Sequence, residues 1–222
     1  MMRDIRSYRT LIFDCDGVVL DSNSVKTEAF YQTALSYGKD AANQLVEYHR
    51  VNGGVSRYKK FDYFLTYILQ GRENLPSVEG LVDCYASLVK QGLLESNVEP
   101  ALDTVKNHTE DSKWLIVSGG DQAELRWVFR EKGIDQFFDG GIFGSPDSKE
   151  EILAREIDRG NIVGPALFLG DSRYDYTASR KYDIDFVFLK QWTEFSGWAE
   201  FCRENNVEVC GGLKDLLVRN FE

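Results

Sequence analysis

Four short apolar runs do most to limit what this chain can fold into: Leu11-Ile-Phe13, Trp114-Leu-Ile-Val117, Ala166-Leu-Phe-Leu169 and Phe186-Val-Phe-Leu189. Several of them end in small or acidic residues, and none shows the polar alternation of a strand with one wet face. Runs of this kind suit strands buried on both faces, as in a parallel sheet. Between them lie stretches with helical spacing, such as Ala123, Trp127 and Val128, and then Ile152, Leu153 and Ile157. Strand and helix therefore alternate, which predicts an α/β fold built on a doubly wound, mostly parallel sheet. Gly140-Gly-Ile-Phe-Gly144, preceded by Phe137 and Phe138, reads as a further and poorer strand.

The alternation breaks between residues 21 and 95. There Phe61, Phe64, Leu65, Ile68 and Leu69 follow the i, i+3, i+4 pattern, as do Val82, Tyr85 and Val89. The expected organisation is an α/β core of residues 1–20 and 96–222, interrupted by an all-helical domain of residues 21–95. Within that insertion, residues 49–57 carry paired glycines and polar side chains and read as a loop. Beyond the last apolar run, Trp192, Phe195, Trp198 and Phe201 are expected to pack over the sheet edge, ahead of a terminal helix near Leu213 to Leu217.

A chain of 222 residues can bury a full core, and 43% hydrophobic with 28% charged residues is ordinary for a globular protein. The net charge of -10 argues against nucleic acid or an anionic membrane as a partner, since either calls for a clustered basic face. No apolar run approaches a membrane span, and the first residues lack a signal-like segment, so a cytoplasmic monomer is expected. Cys15, Cys84, Cys202 and Cys210 are scattered, and two histidines, His49 and His108, are too few to complete a zinc site, so reduced thiols are expected.

The chemistry gathers at the ends of the apolar runs. Asp14 and Asp16 follow the first run one residue apart, so in extended backbone they project to one side and Cys15 to the other. Ligands of open α/β sheets bind beyond the carboxyl ends of the strands, where these acids sit. Ser118-Gly119-Gly120 follows the second run and precedes a helix expected near Asp121, a place suited to a phosphate, although alone it could equally be a structural turn. Asp171 and Asp175 follow a later run at helical spacing; they could face one cation or simply cap a helix. Lys149, just ahead of the Ile152-Leu153 helix, would be a solvated side chain if taken alone.

Taken together and in this order, Asp14-Cys-Asp-Gly-Val18, Ser118, Lys149, and Gly170-Asp171 with Asp175 resemble the four signature segments of the haloacid dehalogenase superfamily. The helical insertion directly after the first segment resembles the cap of its phosphoglucomutase-like and phosphoglycolate-phosphatase-like branches. The resemblance implies a Rossmann-like core and a magnesium-dependent phosphatase that hydrolyses a small phosphorylated metabolite, such as a sugar phosphate, through an aspartyl-phosphate. It implies Asp14 as nucleophile, Asp16 as general acid and base, and Ser118, Gly119 and Lys149 as binders of the phosphoryl oxygens. Mg²⁺ would be held by Asp14, by Asp16 through its backbone carbonyl and by Asp171, with Asp175 orienting a metal-bound water or Lys149.

A phosphomutase of the beta-phosphoglucomutase type shares all of these residues and stands as the alternative, ahead of a non-catalytic sugar-phosphate-binding protein. Asp16 sets the chain apart from the dehalogenase branch, which lacks this second acid. The second segment departs from many relatives, which place Asn where this chain has Gly119. For the substrate, Asn52, Arg57, Lys59 and Lys60 are the candidate contacts of the insertion, with a solvated surface as the other reading of the same residues.

Overall fold

The computed structural model describes residues 3–218. Its sheet has six strands: β1 (Thr10–Phe13), β2 (Lys113–Asp121), β3 (Gly141–Ser145), β4 (Ala166–Gly170), β5 (Asp185–Leu189) and β6 (Glu208–Cys210). They run parallel in the order β3-β2-β1-β4-β5-β6, the doubly wound arrangement that the alternating runs predict. Strand order reverses on either side of β1, so the crevice of this fold opens beside the carboxyl ends of β1 and β4.

Both faces of the sheet are covered. Phe13, Trp114 and Phe138 pack on one side, where the Phe13 and Trp114 rings lie 4.6 Å apart. Ile12, Leu115, Phe168, Ile152 and Leu153 fill the other. This explains why the strands read as unbroken apolar runs: neighbouring residues point to opposite faces, and neither face is wet.

Of the five α-helices between β1 and β2, the first four fall within residues 21–95: α1 (Asn23–Leu35), α2 (Lys39–Val51), α3 (Arg57–Tyr63) and α4 (Val78–Glu95). The rings of Phe30, Phe61 and Tyr85 meet at their centre, 4.5 to 5.9 Å apart. The expected loop over residues 49–57 is shorter than the sequence suggests, because α2 continues through Val51 and α3 begins at Arg57. Ser56 starts α3 by accepting from the Tyr58 amide, and Asn52 closes α2 by donating to the Tyr48 carbonyl at 2.9 Å.

The remaining helices are α5 (Leu102–His108), α6 (Gln122–Glu131), α7 (Lys149–Asp158), α8 (Arg173–Lys181), α9 (Trp198–Glu204) and α10 (Asp215–Val218). Phe195, Trp198 and Phe201 pack with Phe188 and Tyr176 against the β5 side of the sheet. All four cysteines are free, and among the described residues no helix is long and apolar enough to cross a membrane.

Candidate active site

The end of β1 delivers Asp14 into the crevice, where its amide donates to the Leu169 carbonyl of β4 at 2.9 Å. Lys149 arrives from the opposite side as the first residue of α7. Ser148 and Glu151 form a reciprocal capping box there, fixing the angle at which that helix starts. The ammonium is buried, 2.8 Å from Asp14 Oδ1, but it donates its hydrogen bond to Asp175 Oδ1. Asp14 Oδ1 is left as a buried oxygen with no hydrogen-bond donor among the described residues.

Asp175 is fully engaged. Its Oδ2 accepts from the amides of Asp171 at 3.2 Å and Ser172 at 3.1 Å, and from Ser172 Oγ at 2.7 Å. The capping reading and the Lys149-orienting reading of this residue thus hold together. Asp171, at the end of β4, accepts from Asn23 Nδ2 at 2.9 Å. Gly17, at φ +77°, passes so close that a Cβ there would stand 2.1 Å from Asp171 Oδ2, so this position admits no side chain.

Asp16 occupies different surroundings from Asp14. Ser22 Oγ donates to its Oδ1 at 2.6 Å and Lys26 Nζ to its Oδ2 at 2.5 Å, so its side chain is held by the start of α1. Lys26 is a functional neighbour that the sequence reading misses. It sits on the face of α1 shared by Thr27, Ala29, Phe30 and Thr33, all buried, and a lysine on a buried stripe is the signal that could have found it.

The two carboxyls are accordingly driven in opposite directions. Burial pushes Asp14 up to about 7, with Lys149 opposing and Asp175 and Asp16 adding to the rise. Burial also acts against ionisation of Asp16, but the Lys26 charge and the hydrogen bonds from Lys26 and Ser22 outweigh it and hold that carboxyl low. Asp171 is pushed well above the carboxylate range by burial and then by the charges of Asp14 and Asp175. Lys149 is held charged despite its burial, by Asp14 and Asp175.

Oxygens of Asp14, Asp171 and Asp175 lie within 4.8 Å of one another. Lys149 pairs with two of these three carboxylates, Asp14 and Asp175, an Asp14 oxygen accepts no hydrogen bond among the described residues, and the donor set is all hard oxygen. These are the features a divalent cation such as Mg²⁺ satisfies.

The expected turn at Ser118-Gly119-Gly120 is instead the far end of β2, with a register shift against β3 between Val117 and Asp121. Ser118 Oγ is buried and accepts from the Gly120 amide at 3.0 Å, which leaves the hydroxyl hydrogen for another acceptor. Asp121 caps α6, taking the Glu124 amide at 3.0 Å. A Cβ on Gly119 would fall 2.0 Å from the backbone oxygen of Gly54, so the loop between α2 and α3 rests directly on this strand. Position 119 therefore admits no side chain in this arrangement.

The candidates of the helical segment divide. Lys60 and Arg57 line the cavity above Asp14 and Asp16; Asn52 does not, and Lys59 is exposed at a separate cleft beside Lys149 and Glu151. Arg57 is committed to an ion pair with Glu124 of α6 and lies over the Tyr85 ring, 4.6 Å from its centroid. His49, Arg50 and Tyr85 share the lining, as do Glu194 and Phe195 from the segment after β5. That segment is tied down by Thr27 donating to Glu194, by Thr193 Oγ1 donating to the Asp171 carbonyl at 2.7 Å, and by Asn23 donating to the Trp192 carbonyl at 2.9 Å. Aromatic spacing in the sequence gave no hint that it reaches the site. The enclosed space is about 60 Å³, well below the 300–1,000 Å³ of a typical ligand pocket.

The fold agrees with that of known proteins. The family model for haloacid dehalogenase-like hydrolases matches residues 8–183, and the chain belongs to that family. It is similar to a phosphorylated carbohydrates phosphatase from Thermotoga maritima, 27% identical over 187 residues that span 80% of this chain and 83% of the relative. Among solved structures it resembles a predicted phosphatase from Clostridium acetobutylicum, at 17% identity and a TM-score of 0.74, over 95% of this chain and 97% of the other. It also resembles a beta-phosphoglucomutase from Clostridium difficile, at 18% identity and a TM-score of 0.72, over 96% and 93%.

Proposed function

We propose that the protein is a magnesium-dependent phosphatase of small phosphorylated metabolites, with Asp14 as nucleophile and Asp16 as general acid and base. The observation that carries this reading is the division between the two acids. Asp14 lies beside Lys149 with an oxygen free of hydrogen bonds, while Asp16 is turned away and gripped by Ser22 and Lys26. The phosphatase named among the relatives supports the same choice of reaction.

In the first half-reaction an Asp14 oxygen forms a bond to phosphorus as the bond to the leaving oxygen breaks. The leaving oxygen takes a proton from Asp16 in its acid form, which Lys26 and Ser22 disfavour in the free protein and which the negative charge of the bound phosphate would favour. In the second, Asp16 removes a proton from water, which attacks phosphorus, releases phosphate and regenerates Asp14. Ser118 and Lys149 stabilise the charge on the transferring group. Asp14, Asp171 and the Asp16 carbonyl would hold Mg²⁺, which neutralises phosphate and the crowded acids when bound, and Asp175 keeps Lys149 in place.

Residues 21–95 act as a cap in this reading. The cavity over the acids is narrow, and in this reading α1 to α4 swing from the sheet to admit substrate and return to exclude water. The test is phosphate release from a broad panel of phosphorylated metabolites and para-nitrophenyl phosphate, with and without Mg²⁺. Magnesium-dependent turnover is expected; its absence across the panel defeats the reading. Isomerisation of a sugar phosphate without net phosphate release would favour the mutase instead.

A further inference from the structure

Lys60 is 2% exposed, on the buried stripe of α3 formed with Arg57, Phe61 and Phe64. Its Nζ lines the cavity, 2.7 Å from His49 Nδ1 and 5.5 Å from the centre of the Phe30 ring. Among the described residues, no carboxylate comes within 4.0 Å of it. That sets it apart from the other buried cations of the cavity: Lys26 is paired with Asp16, Arg57 with Glu124 and Lys149 with Asp14 and Asp175.

A buried ammonium without a counter-charge is costly, and a hydrogen bond to an imidazole removes little of that cost. Burial and then repulsion from Lys26 push Lys60 down to about 7, while burial and then Lys60 keep His49 well below its ordinary range. A charged ammonium can only donate, so Nδ1 of His49 accepts and its Nε2 carries the ring hydrogen. This corner of the cavity thus offers donors and positive charge with no acid of its own to balance them.

We propose that Lys60 and His49 form a subsite for a carboxylate on the leaving group, so that the substrate is the phosphate ester of a small hydroxy acid. The proposal rests on the phosphatase reading and deepens it. A neutral hydroxyl could accept a hydrogen bond from Lys60 but would leave its charge unbalanced; an anion both accepts and compensates. A carboxylate suits the place better than a second phosphate, because Lys60 is the buried cation of the cavity without a counter-charge among the described residues, and a single cation balances a monoanion rather than a dianion. Phe30 and Tyr85 beside Lys60 and Arg57 give an apolar wall for a short carbon chain.

The test compares matched substrates in the magnesium-loaded protein: phosphoglycolate against ethyl phosphate, and 3-phosphoglycerate against glycerol 3-phosphate. The acid of each pair is expected to have the higher kcat/KM by about 10- to 100-fold, the value of a hydrogen bond to a charged group. Lys60→Met should erase that preference mainly through KM, bringing kcat/KM on each acid down to that of its uncharged partner. The free hydroxy acid should inhibit the wild-type protein more strongly than the matching alcohol, a comparison that needs no variant.

Equal kcat/KM within both pairs, with para-nitrophenyl phosphate still hydrolysed, would overturn the subsite and spare the phosphatase reading. So would a Lys60→Met loss shared equally by acids and alcohols, or a sugar bisphosphate outrunning every acid, which would assign Lys60 to a second phosphate. No turnover of any phosphate ester would overturn both readings.

Discussion

The floor and the roof of the cavity bury charge in opposite ways. On the floor, Asp14, Asp16, Asp171 and Asp175 outnumber the lysines that reach them, Lys149 and Lys26. On the roof, Arg57 is paired with Glu124 of α6, and Lys60 has no carboxylate within 4.0 Å among the described residues. The floor is short of positive charge, and its acids are driven up or pinned by lysines; the roof is short of negative charge, and Lys60 is driven down. The contrast teaches that the two surfaces are unfinished in complementary senses. A cation completes the first, and an anionic substrate would complete the second while bridging to the first.

The largest effect is expected on the floor. Asp14→Asn should lower kcat by about 10⁴-fold or more, the scale for losing a nucleophile. Its melting temperature should hold or rise, because a carboxyl that burial pushes up to about 7 no longer has to ionise there. If the variant keeps its activity, Asp14 is not the attacking group and the division between the two acids loses its meaning.

Lys26→Met sharpens the comparison within the floor. Without Lys26, burial should raise Asp16, so the base form needed to activate water is depleted and hydrolysis of the aspartyl-phosphate slows by about 100-fold. On para-nitrophenyl phosphate this should show as a burst of para-nitrophenol followed by a slow steady state. An unchanged kcat with no burst would make Lys26 a packing residue only.

The fold was legible because doubly buried parallel strands leave a mark that no other element shares: short apolar runs, one after another, with helical spacing between. The positions of Asp14, Ser118, Lys149 and Asp171 at strand ends or helix starts were legible for the same reason. What differs between Asp14 and Asp16 was not, since i, i+2 spacing places two side chains on one side without saying which neighbours await them. Lys26 was hidden because a charged residue on an apolar stripe looks like an interruption of the pattern until its partners are known. The continuation of β2 through Gly119 and Gly120 was missed because glycines ordinarily end strands, and here they admit the Gly54 carbonyl.

On the roof, Arg57→Ala should destabilise the protein by about 2 kcal/mol by stranding Glu124, and Glu124→Ala in the same chain should restore part of it. Denaturation of the two single variants and the double variant checks the coupling; additive losses would mean that the pair contributes nothing to holding α3 on α6.

The smallest expected effect is a trend in stability with pH. Below about 7 Lys60 is charged in both the folded and unfolded protein, and its burial penalty is present in full. Between about 7 and 10.5 the folded protein sheds that proton while the unfolded chain keeps it, so the penalty is relieved as pH rises. The advantage of Lys60→Met over wild type in unfolding free energy should therefore be greatest near pH 6 and shrink by on the order of 1 kcal/mol or more near pH 9. A constant difference across that range would mean that Lys60 is already compensated, and the contrast between roof and floor would vanish.

The backbone contact between Gly119 and Gly54 bears on how such a protein can change over generations. Position 119 cannot regain a side chain while the Gly54 carbonyl rests on it, and residue 54 cannot shift without uncovering the strand beneath. A change at either position therefore calls for a compensating shift at the other, although they stand 65 positions apart in the chain. Transplanting residues 21–95 of this chain onto a core that carries a side chain at position 119 should produce a chimera whose halves collide. The same transplant with its own strand end included should not.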